Sequence, residues 1–302
     1  MPDFSSPQQP GPIKLLYLGH TGVGKTGSLC SLAAAGYNVR ILDLEAGTDI
    51  IRDYLLNPTS PYRKASPGVW TQEQADTVLQ RIRAVTITEQ YLIQGTKAIP
   101  RGDAWMKMNG QLNNWIDGDD KPGNIAKWSE NDVLVIDGLS QLSRIAMNWH
   151  LVVNNRAAEG PRVGSSGSND YTAAYKMIRD FLDLLKSETI RCHVVMICHI
   201  RFIADADTAS RAQTNTSGKR DYDLKGFPQT VGPMLSPEIG QYFNHTLRAK
   251  SIGSGPGVQR VIVTNNDESV DLKSSAPLRV KKQYNLGTGL AEYFRDVRGE
   301  SS

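Results

Sequence analysis

Short apolar runs and helical patterns follow each other at the start of the chain. Residues 13–18 form an apolar run that predicts a buried strand, and residues 28–35 predict a helix that stops at Gly36. Residues 37–44 then predict a second strand. Strands that alternate with helices in this way indicate an α/β fold, with a mostly parallel sheet covered by helices on both faces.

The same alternation continues in the second half of the chain, where it ends in a C-terminal hairpin. The predicted elements are strands at 132–136 and 193–198, helices at 139–153 and 171–186, a hairpin of 243–251 with 258–264, and a last strand at 278–284.

The region between the two halves, residues 57–127, has a weaker pattern. Residues 72–84 predict a helix with Ile82 on its apolar side. Residues 94–120 are rich in Gly, Asn, Asp and Trp and lack a clear period, so we expect a variable elaboration there. The domain plan that follows has a flexible tail at 1–12, one core at 13–295 and a C-terminal tail at 296–302.

Composition excludes several classes of protein. The 302 residues suffice for one large domain or two small ones, and the mean hydropathy of −0.37 is typical of a soluble globular protein. No apolar run is long enough to span a membrane, and the start of the chain lacks the features of a secretory signal. The cysteines, Cys30, Cys192 and Cys198, lack metal-ligand spacing, which favours a reducing, cytoplasmic setting. A net charge of +3 is too small to imply nucleic acid by itself.

Residues 19–26, Gly-His-Thr-Gly-Val-Gly-Lys-Thr, match the phosphate-binding loop pattern G-x-x-x-x-G-K-[ST] at every fixed position. The loop lies between a predicted strand and a predicted helix, where backbone N–H groups and the helix N-terminus favour phosphate. Lys25 is expected to reach the β- and γ-phosphates and Thr26 to bind Mg²⁺. The alternative is a glycine-rich turn. The predicted nucleotide-binding residues are Gly19, His20, Thr21, Gly22, Val23, Gly24, Lys25, Thr26 and Gly27.

Two carboxylates are candidates for the remaining ATPase chemistry. Asp137 ends an apolar strand, at the sheet edge where ligands bind, and is the predicted Walker B residue facing Mg²⁺. Its alternative role is to cap the following helix. Alternation puts Glu45 on the same side of the second strand as Asp43, at the C-terminal end of that strand and next to the phosphate loop, and Glu45 is expected to orient the attacking water. Its alternative is a sheet-edge carboxylate without a catalytic role.

A phosphate loop, a helix and a strand ending in Asp-x-Glu resemble the core of RecA-type recombinases. The resemblance implies that Glu45 activates water and that His199, after the strand at 193–198, senses the γ-phosphate. Most recombinases have glutamine at that position, and the alternative is a histidine that only terminates the strand. The resemblance further implies a lysine that reaches the neighbouring subunit's nucleotide. Lys281 and Lys282 are the candidates, and on a strand only one of them can face that way. A solvated basic edge is the alternative.

Two polar segments, near 154–170 and 201–230, occupy the places of the DNA-binding loops of RecA-like cores. Cations neutralise phosphates, and aromatic rings stack on bases without reading sequence. The alternative is two solvated surface loops. The predicted DNA-binding residues are Arg156, Arg162, Arg201, Arg211, Lys219, Arg220 and Phe227.

Within the recombinase core, the chain resembles the short phage-encoded ATPases of the single-strand-annealing kind. The run Asp43-Leu-Glu45-Ala-Gly47-Thr48 and the pair Asp170-Tyr171 carry this resemblance. The long stretch between Thr48 and Asp132 departs from a minimal core. The N-terminal polymerisation helix of the bacterial recombinase has no counterpart, so assembly is expected to use another contact.

The resemblance implies an ATPase that uses ATP and Mg²⁺ and is stimulated by single-stranded DNA. It also implies DNA annealing or strand pairing by a homo-oligomer, filament or ring, with nucleotide at the subunit interface. A single-strand-binding protein is a candidate second partner, no membrane is involved, and the setting is the cytoplasm, of a bacterial host if the chain is phage-encoded. Absence of the guanine-specific Asn-Lys-x-Asp motif favours adenine. The alternatives are a helicase loader or motor on the same core, and a nucleotide-gated interaction module without DNA binding.

Overall fold

A central sheet of mostly parallel strands organises the chain. The computed structural model describes residues 11–57, 59–60, 71–163, 169–204, 224–232, 234–253, 258–266 and 269–300. Within these residues, eight strands form the main sheet in the order β14-β13-β12-β1-β9-β8-β2-β3. The strands of the described residues are β1 (Lys14–Gly19), β2 (Asn38–Asp43), β3 (Ile82–Thr86), β4 (Tyr91–Gln94), β5 (Lys97–Pro100), β6 (Trp115–Asp117), β7 (Asp120–Gly123), β8 (Asp132–Asp137), β9 (His193–Cys198), β10 (Ile200–Ala204), β11 (Leu224–Pro228), β12 (His245–Ile252), β13 (Gln259–Val263) and β14 (Gln283–Asn285).

Within this sheet, β12, β1, β9, β8, β2 and β3 run parallel, and β13 and β14 add an antiparallel edge. Helices cover both faces of the sheet. They are α1 (Lys25–Ser28), α2 (Cys30–Ala34), α3 (Ile50–Leu56), α4 (Gln72–Gln80), α5 (Asp103–Asn113), α6 (Leu139–Val153), α7 (Asp170–Lys186) and α8 (Gly289–Arg298), with short 3₁₀ turns at Ile125–Lys127 and Ser236–Tyr242. The predicted α/β class, with helices on both faces and the C-terminal hairpin of β12 and β13, is confirmed.

Alternating side chains of the central strands supply two separate cores. In β8, Leu134 and Ile136 pack in one hydrophobic cluster, while Val133 and Val135 pack in the other. Because successive side chains of a strand point to opposite faces, a run that is apolar at every position needs cover on both sides. Helices α5, α6 and α7 cover one face, and α1 to α4 with α8 cover the other.

Three predicted elements differ in the structure. Helix α4 ends at Gln80, and Ile82 instead begins β3, where it pairs with Val39 of β2. The segment 201–230, expected to be a polar loop, contains two strands, β10 and β11, that pair antiparallel. The last strand, expected at 278–284, is only Gln283–Asn285, because the N–H groups of residues 279 and 280 turn back to the carbonyl of Ala276.

The elaboration at 57–127 and the ends of the core contain more order than expected. Helix α5 and the hairpins β4–β5 and β6–β7 occupy the part that lacked a sequence period. Helix α8 runs to Arg298 with Val297 buried, so packed structure extends past residue 295. In the described part of the chain, no helix combines the length and the apolar character that crossing a bilayer requires.

Candidate nucleotide-binding site

The loop between β1 and α1 has the backbone conformation that its glycines permit. Gly22 and Gly24 have φ values of 74° and 102°, in the left-handed region that favours glycine. A Cβ at Gly24 would lie 1.9 Å from the hydroxyl oxygen of Tyr54, so this position also needs the absence of a side chain. The loop therefore curls over α1 with its amides available at the helix N-terminus.

Lys25 is buried and folded into this loop. Its Nζ donates to the carbonyl oxygens of Gly19 and His20, at 2.9 and 3.0 Å. Burial lowers the pKa of Lys25, and the nearby carboxylates of Asp137 and Glu45 oppose that shift. The ammonium group is thus held at the loop by carbonyl dipoles, in position to bind an anion.

Thr26 and Asp137 meet directly. The Thr26 hydroxyl donates to Oδ2 of Asp137 at 2.6 Å, which joins the phosphate loop to the carboxyl end of β8. Burial raises the pKa of Asp137 to about 6, and the bond from Thr26 opposes the shift. Gly138 precedes α6 without a side-chain cap, and the Asp137 carboxylate turns to the loop rather than to the helix.

Glu45 lies beyond the end of β2, not on the strand. The strand ends at Asp43, whose carboxylate accepts bonds from the N–H groups of Glu45, Gly47 and Thr48 and so closes a turn. The prediction that Asp43 and Glu45 share one side of a strand is therefore wrong. Asp43 shapes the turn, and Glu45 emerges from it towards the phosphate loop.

A polar chain links Glu45 to the loop through His199. Nε2 of His199 lies 3.0 Å from Oε2 of Glu45, and Nδ1 lies 3.4 Å from the Thr21 hydroxyl. The His199 bond is the main cause of a lowered pKa of Glu45, which keeps that carboxylate ionised. Ser140 of α6 adds a weaker contact to Oε1 at 3.4 Å. Glu45 can lie this close to the start of α6 because Gly138 has no side chain. A Cβ at Gly138 would lie 2.7 Å from Cγ of Glu45.

A second contact between the loop and β10 involves aromatic rings. The His20 ring stacks on Phe202 of β10, with centroids 5.7 Å apart and 24° between the planes. The Arg248 guanidinium lies 5.6 Å from the Phe202 ring centroid. Sequence reasoning missed this role of His20, because the loop pattern leaves that position free.

These groups surround one cavity of about 360 Å³. Of the loop residues assigned from the sequence, the wall includes Thr21, Gly22, Gly24, Lys25, Thr26 and Gly27, but not Gly19, His20 or Val23. Glu45, Asp137 and His199 also line the cavity. Three side chains that the sequence did not suggest, Ile50, Tyr54 and Arg260, also line it. A smaller cavity of about 230 Å³ lies on the other side of Glu45, against α6.

The residues present fit a magnesium nucleotide. Among the described residues, no group of three or more His, Cys, Asp or Glu side chains is arranged to hold a metal ion. Mg²⁺ in phosphate sites is usually held by one or two protein groups together with phosphate oxygens and water. The pair of Thr26 and Asp137 matches that requirement, with Lys25 and the loop amides left for the phosphates.

The predicted DNA-binding residues are dispersed. Arg156 pairs with the buried carboxylate of Asp170, and Arg162 pairs with Glu159. Arg201 is exposed on β10, and Phe227 is half-buried on β11. Arg211, Lys219 and Arg220 lie outside the described residues. Asp170 thus holds Arg156 within the chain, and a contact of Arg156 with DNA stays a prediction.

The two candidate lysines lie just before β14. The argument that only one of them can face the neighbouring subunit assumed that both lie on a strand, so it does not apply. Nζ of Lys281 is 2.9 Å from Glu292 of the same chain and 5.3 Å from the centroid of the Tyr284 ring. Lys282 is exposed and has no side-chain partner among the described residues. Lys282 is thus the member of the pair that is available to another molecule.

A family model described as an AAA domain matches residues 11–276. Among solved structures, the chain is similar to a KaiC-like protein from the hyperthermophilic archaeon Pyrococcus horikoshii. The identity is 11% over 91% of this chain and 85% of that chain, with a TM-score of 0.39. It is also similar to the flagellar accessory protein FlaH from Methanocaldococcus jannaschii, at 11% identity over 91% of this chain and 84% of that chain, with a TM-score of 0.36. No curated protein matches the chain.

Proposed function

The chain belongs to the AAA domain family and has the RecA-like fold of a P-loop ATPase, and we propose that it couples ATP to single-stranded DNA. In this proposal, the protein binds single-stranded DNA, assembles with further copies on it and promotes annealing or strand pairing.

The cavity residues divide the ATPase chemistry among them. Lys25 would exchange its bonds to the carbonyls of Gly19 and His20 for phosphate oxygens, and Thr26 and Asp137 would hold Mg²⁺. When bound, Mg²⁺ neutralises negative charge that develops on the phosphates. Glu45, kept ionised by His199, orients and deprotonates the attacking water.

The observation that supports coupling to DNA is the polar chain from Thr21 through His199 to Glu45. His199 immediately precedes β10, and its carbonyl oxygen accepts a 2.8 Å bond from the N–H of Gln229, just after β11. A change in the hydrogen bonds of His199 when the γ-phosphate is bound or lost is therefore transmitted to both strands of the β10–β11 hairpin. This hairpin flanks the segment that carries Arg211, Lys219 and Arg220.

The hairpin also offers chemistry suited to a single strand. Arg201 is an exposed cation on β10, and Phe227 offers a partly exposed ring on β11. Cations that follow the phosphates and rings that stack on bases give affinity without sequence readout. Lys282 is the cation that we assign to the nucleotide of a neighbouring copy in the assembled state.

A titration of labelled single-stranded oligonucleotide, followed by fluorescence anisotropy, tests the proposal. We expect binding that is tighter with a non-hydrolysable ATP analogue than with ADP, and that weakens steeply with salt. Double-stranded DNA of the same length is the matched control. Binding that is undetectable, or insensitive to salt and nucleotide, would refute a role on DNA.

One observation favours a second candidate, a nucleotide-gated module that binds another protein. The β4–β5 hairpin exposes Tyr91, Leu92 and Ile93 next to each other, and Tyr91 also lines the smaller cavity beside Glu45. Exposed apolar patches often mark protein contacts. If this candidate is right, the titration shows no DNA binding. Sedimentation then shows nucleotide-dependent association with a partner protein, and Ile93→Lys abolishes that association.

A further inference from the structure

The nucleotide cavity contains a second cationic side chain, Arg260, which the phosphate-loop motif does not include. Arg260 lies on β13, and its Nη1 is 3.5 Å from the hydroxyl oxygen of Tyr54 on α3. Both side chains line the cavity. Among the described residues, no carboxylate pairs with Arg260, so its charge is oriented by a neutral hydroxyl and is not cancelled.

Tyr54 fixes where in the cavity this charge lies. The Tyr54 ring packs against α1 at Gly27. A Cβ at Gly27 would lie 2.3 Å from two ring atoms, so the packing requires glycine there. The Tyr54 hydroxyl lies beside Gly24, as does the side chain of Leu286. The N–H of Leu286 in turn donates to the carbonyl oxygen of Arg260 at 3.0 Å, so the C-terminal strands are fastened to the phosphate loop at this point.

The other end of the site is defined by different residues. Lys25 and Thr26 serve the β- and γ-phosphates and Mg²⁺ in a phosphate loop. Asp137 bonds to Thr26, and Glu45 bonds to His199. Within the described residues, no hydrogen bond or ion pair joins Tyr54 or Arg260 to any of these groups. The contacts of Tyr54 are instead with Gly24 and Gly27 of the loop and α1. This separation from the γ-phosphate and Mg²⁺ residues leaves the α-phosphate end of the nucleotide for the pair to contact.

We infer that Tyr54 and Arg260 form a subsite for the α-phosphate end of the nucleotide. Arg260 donates to the phosphate oxygens, and Tyr54 holds the guanidinium in place and closes the cavity beside Gly24. The inference rests on nucleotide binding, which is part of the proposed function, but not on DNA. Affinity for ADP and ATP alike then depends on a residue of the C-terminal strands.

Calorimetric titrations of the full chain with Mg-ATP and with Mg-ADP, in the absence of DNA, test this subsite. For Arg260→Gln we expect both dissociation constants to rise by the same factor, about tenfold, since a hydrogen bond to a charged group is lost. Arg260→Lys should lose less. The matched control is Arg52→Gln, because Arg52 is an exposed arginine on the same helix as Tyr54 and lies outside the cavity wall.

Three results would overturn the inference. A loss confined to ATP would place Arg260 at the γ-phosphate, unchanged constants for both nucleotides would remove it from the site, and an equal loss in Arg52→Gln would show only a general charge effect. Tyr54→Phe keeps the packing ring and removes only the hydroxyl. Should Arg260→Gln fail to fold, as judged by thermal unfolding, Tyr54→Phe tests the subsite instead. An equal two- to threefold loss of affinity for both nucleotides in Tyr54→Phe supports the subsite, and dissociation constants equal to those of the wild type contradict it.

The test also separates this subsite from the role on DNA. A protein that binds nucleotide as expected but does not bind DNA would refute the proposed function and leave the subsite intact.

Discussion

The Thr26 hydroxyl donates a 2.6 Å hydrogen bond to the Asp137 carboxylate. This single contact joins the phosphate loop to the strand that carries the second metal-facing group. Asp137 is held in a buried position where its charged form is disfavoured, and its pKa is raised to about 6. A bound cation would favour the charged form. The buried charge of Asp137 therefore destabilises the free protein, and Mg²⁺ binding removes this destabilisation.

Asp137→Asn should stabilise the free protein at pH 7.5. The folded pKa of about 6 lies above the ordinary value of 3.8, so this group contributes stability below about pH 4 and loses it as the pH rises through 6. The difference of about two pKa units sets an upper limit of about 3 kcal/mol on the gain. Thermal unfolding should show the gain at pH 7.5 and a much smaller one at pH 4.5.

The control for this prediction is Thr26→Val, which leaves the buried carboxylate without its donor. It should shift the unfolding temperature downwards at pH 7.5. Asp137→Asn should also weaken Mg-dependent turnover, so stability and activity move in opposite directions. An Asp137→Asn variant that is less stable than the wild type at pH 7.5 would show that the charge of Asp137 does not destabilise the folded protein.

Glu45→Gln should preserve ATP binding and lower turnover by about a hundredfold or more, since a general base typically contributes that much. Glutamine keeps the shape and can still accept a bond from His199, but it cannot accept the proton of water. ATP affinity by calorimetry and phosphate release measure the two effects. Lys25→Ala, which should abolish binding, is the reference for a lost site. Turnover at the wild-type rate in Glu45→Gln would exclude Glu45 as the base.

The sequence predicted the parts of the site that are contiguous along the chain. The loop at 19–26 and the apolar strand ending in Asp137 each contain their own signal, and the parallel sheet places their ends together. Glu45 was also predicted to lie near the loop, but for an incomplete reason. The position of Glu45 comes from the turn after Asp43. The Asp43 carboxylate accepts hydrogen bonds from the backbone N–H groups of Glu45 and Gly47, and these bonds end the strand.

Contacts between distant segments left no such signal. Tyr54 and Arg260 are 206 residues apart, and neither belongs to a recognisable motif. His20 occupies a position that the loop pattern leaves open, so its stack on Phe202 follows only from the packing of β10. The ion pair of Arg156 with Asp170 also had no signal in the sequence, because it depends on how residues 156–163 fold back on the start of α7.

His199→Gln should retain coupling between nucleotide and DNA, whereas His199→Leu should lose it. Glutamine can donate and accept across the gap between Thr21 and Glu45, and leucine can do neither. The readout is the ratio of ATPase rates with and without single-stranded DNA. We expect that ratio to stay above one for the glutamine variant and to fall to about one for leucine. Equal stimulation in both variants would show that coupling does not use His199.

Phe202→Ala should weaken the response of the β10–β11 hairpin to nucleotide without abolishing nucleotide binding. The stack with His20 is a direct contact between the phosphate loop and β10, and such a ring pair is worth about 0.5–1.5 kcal/mol. Hydrogen exchange of residues 224–228, with and without an ATP analogue, measures the response. Phe227→Ala on the opposite strand is the matched control and should retain the nucleotide effect. A full response in Phe202→Ala would show that the stack of His20 on Phe202 does not carry the nucleotide effect.

Arg201→Gln and Arg156→Gln should separate DNA contact from structure. Arg201 is exposed, so its loss should lower the slope of log affinity against log salt by about 0.7, the value for one phosphate contact on a single strand, with no change in unfolding temperature. Arg156 pairs with buried Asp170, so its loss should lower the unfolding temperature and leave the salt slope unchanged. His150, whose Nε2 lies 2.9 Å from the other carboxylate oxygen, and the N–H of Arg162 remain as partners of Asp170, which limits the loss to about 1–3 kcal/mol. If instead Arg156→Gln changes the slope and Arg201→Gln does not, DNA binds the first polar segment rather than the β10–β11 hairpin.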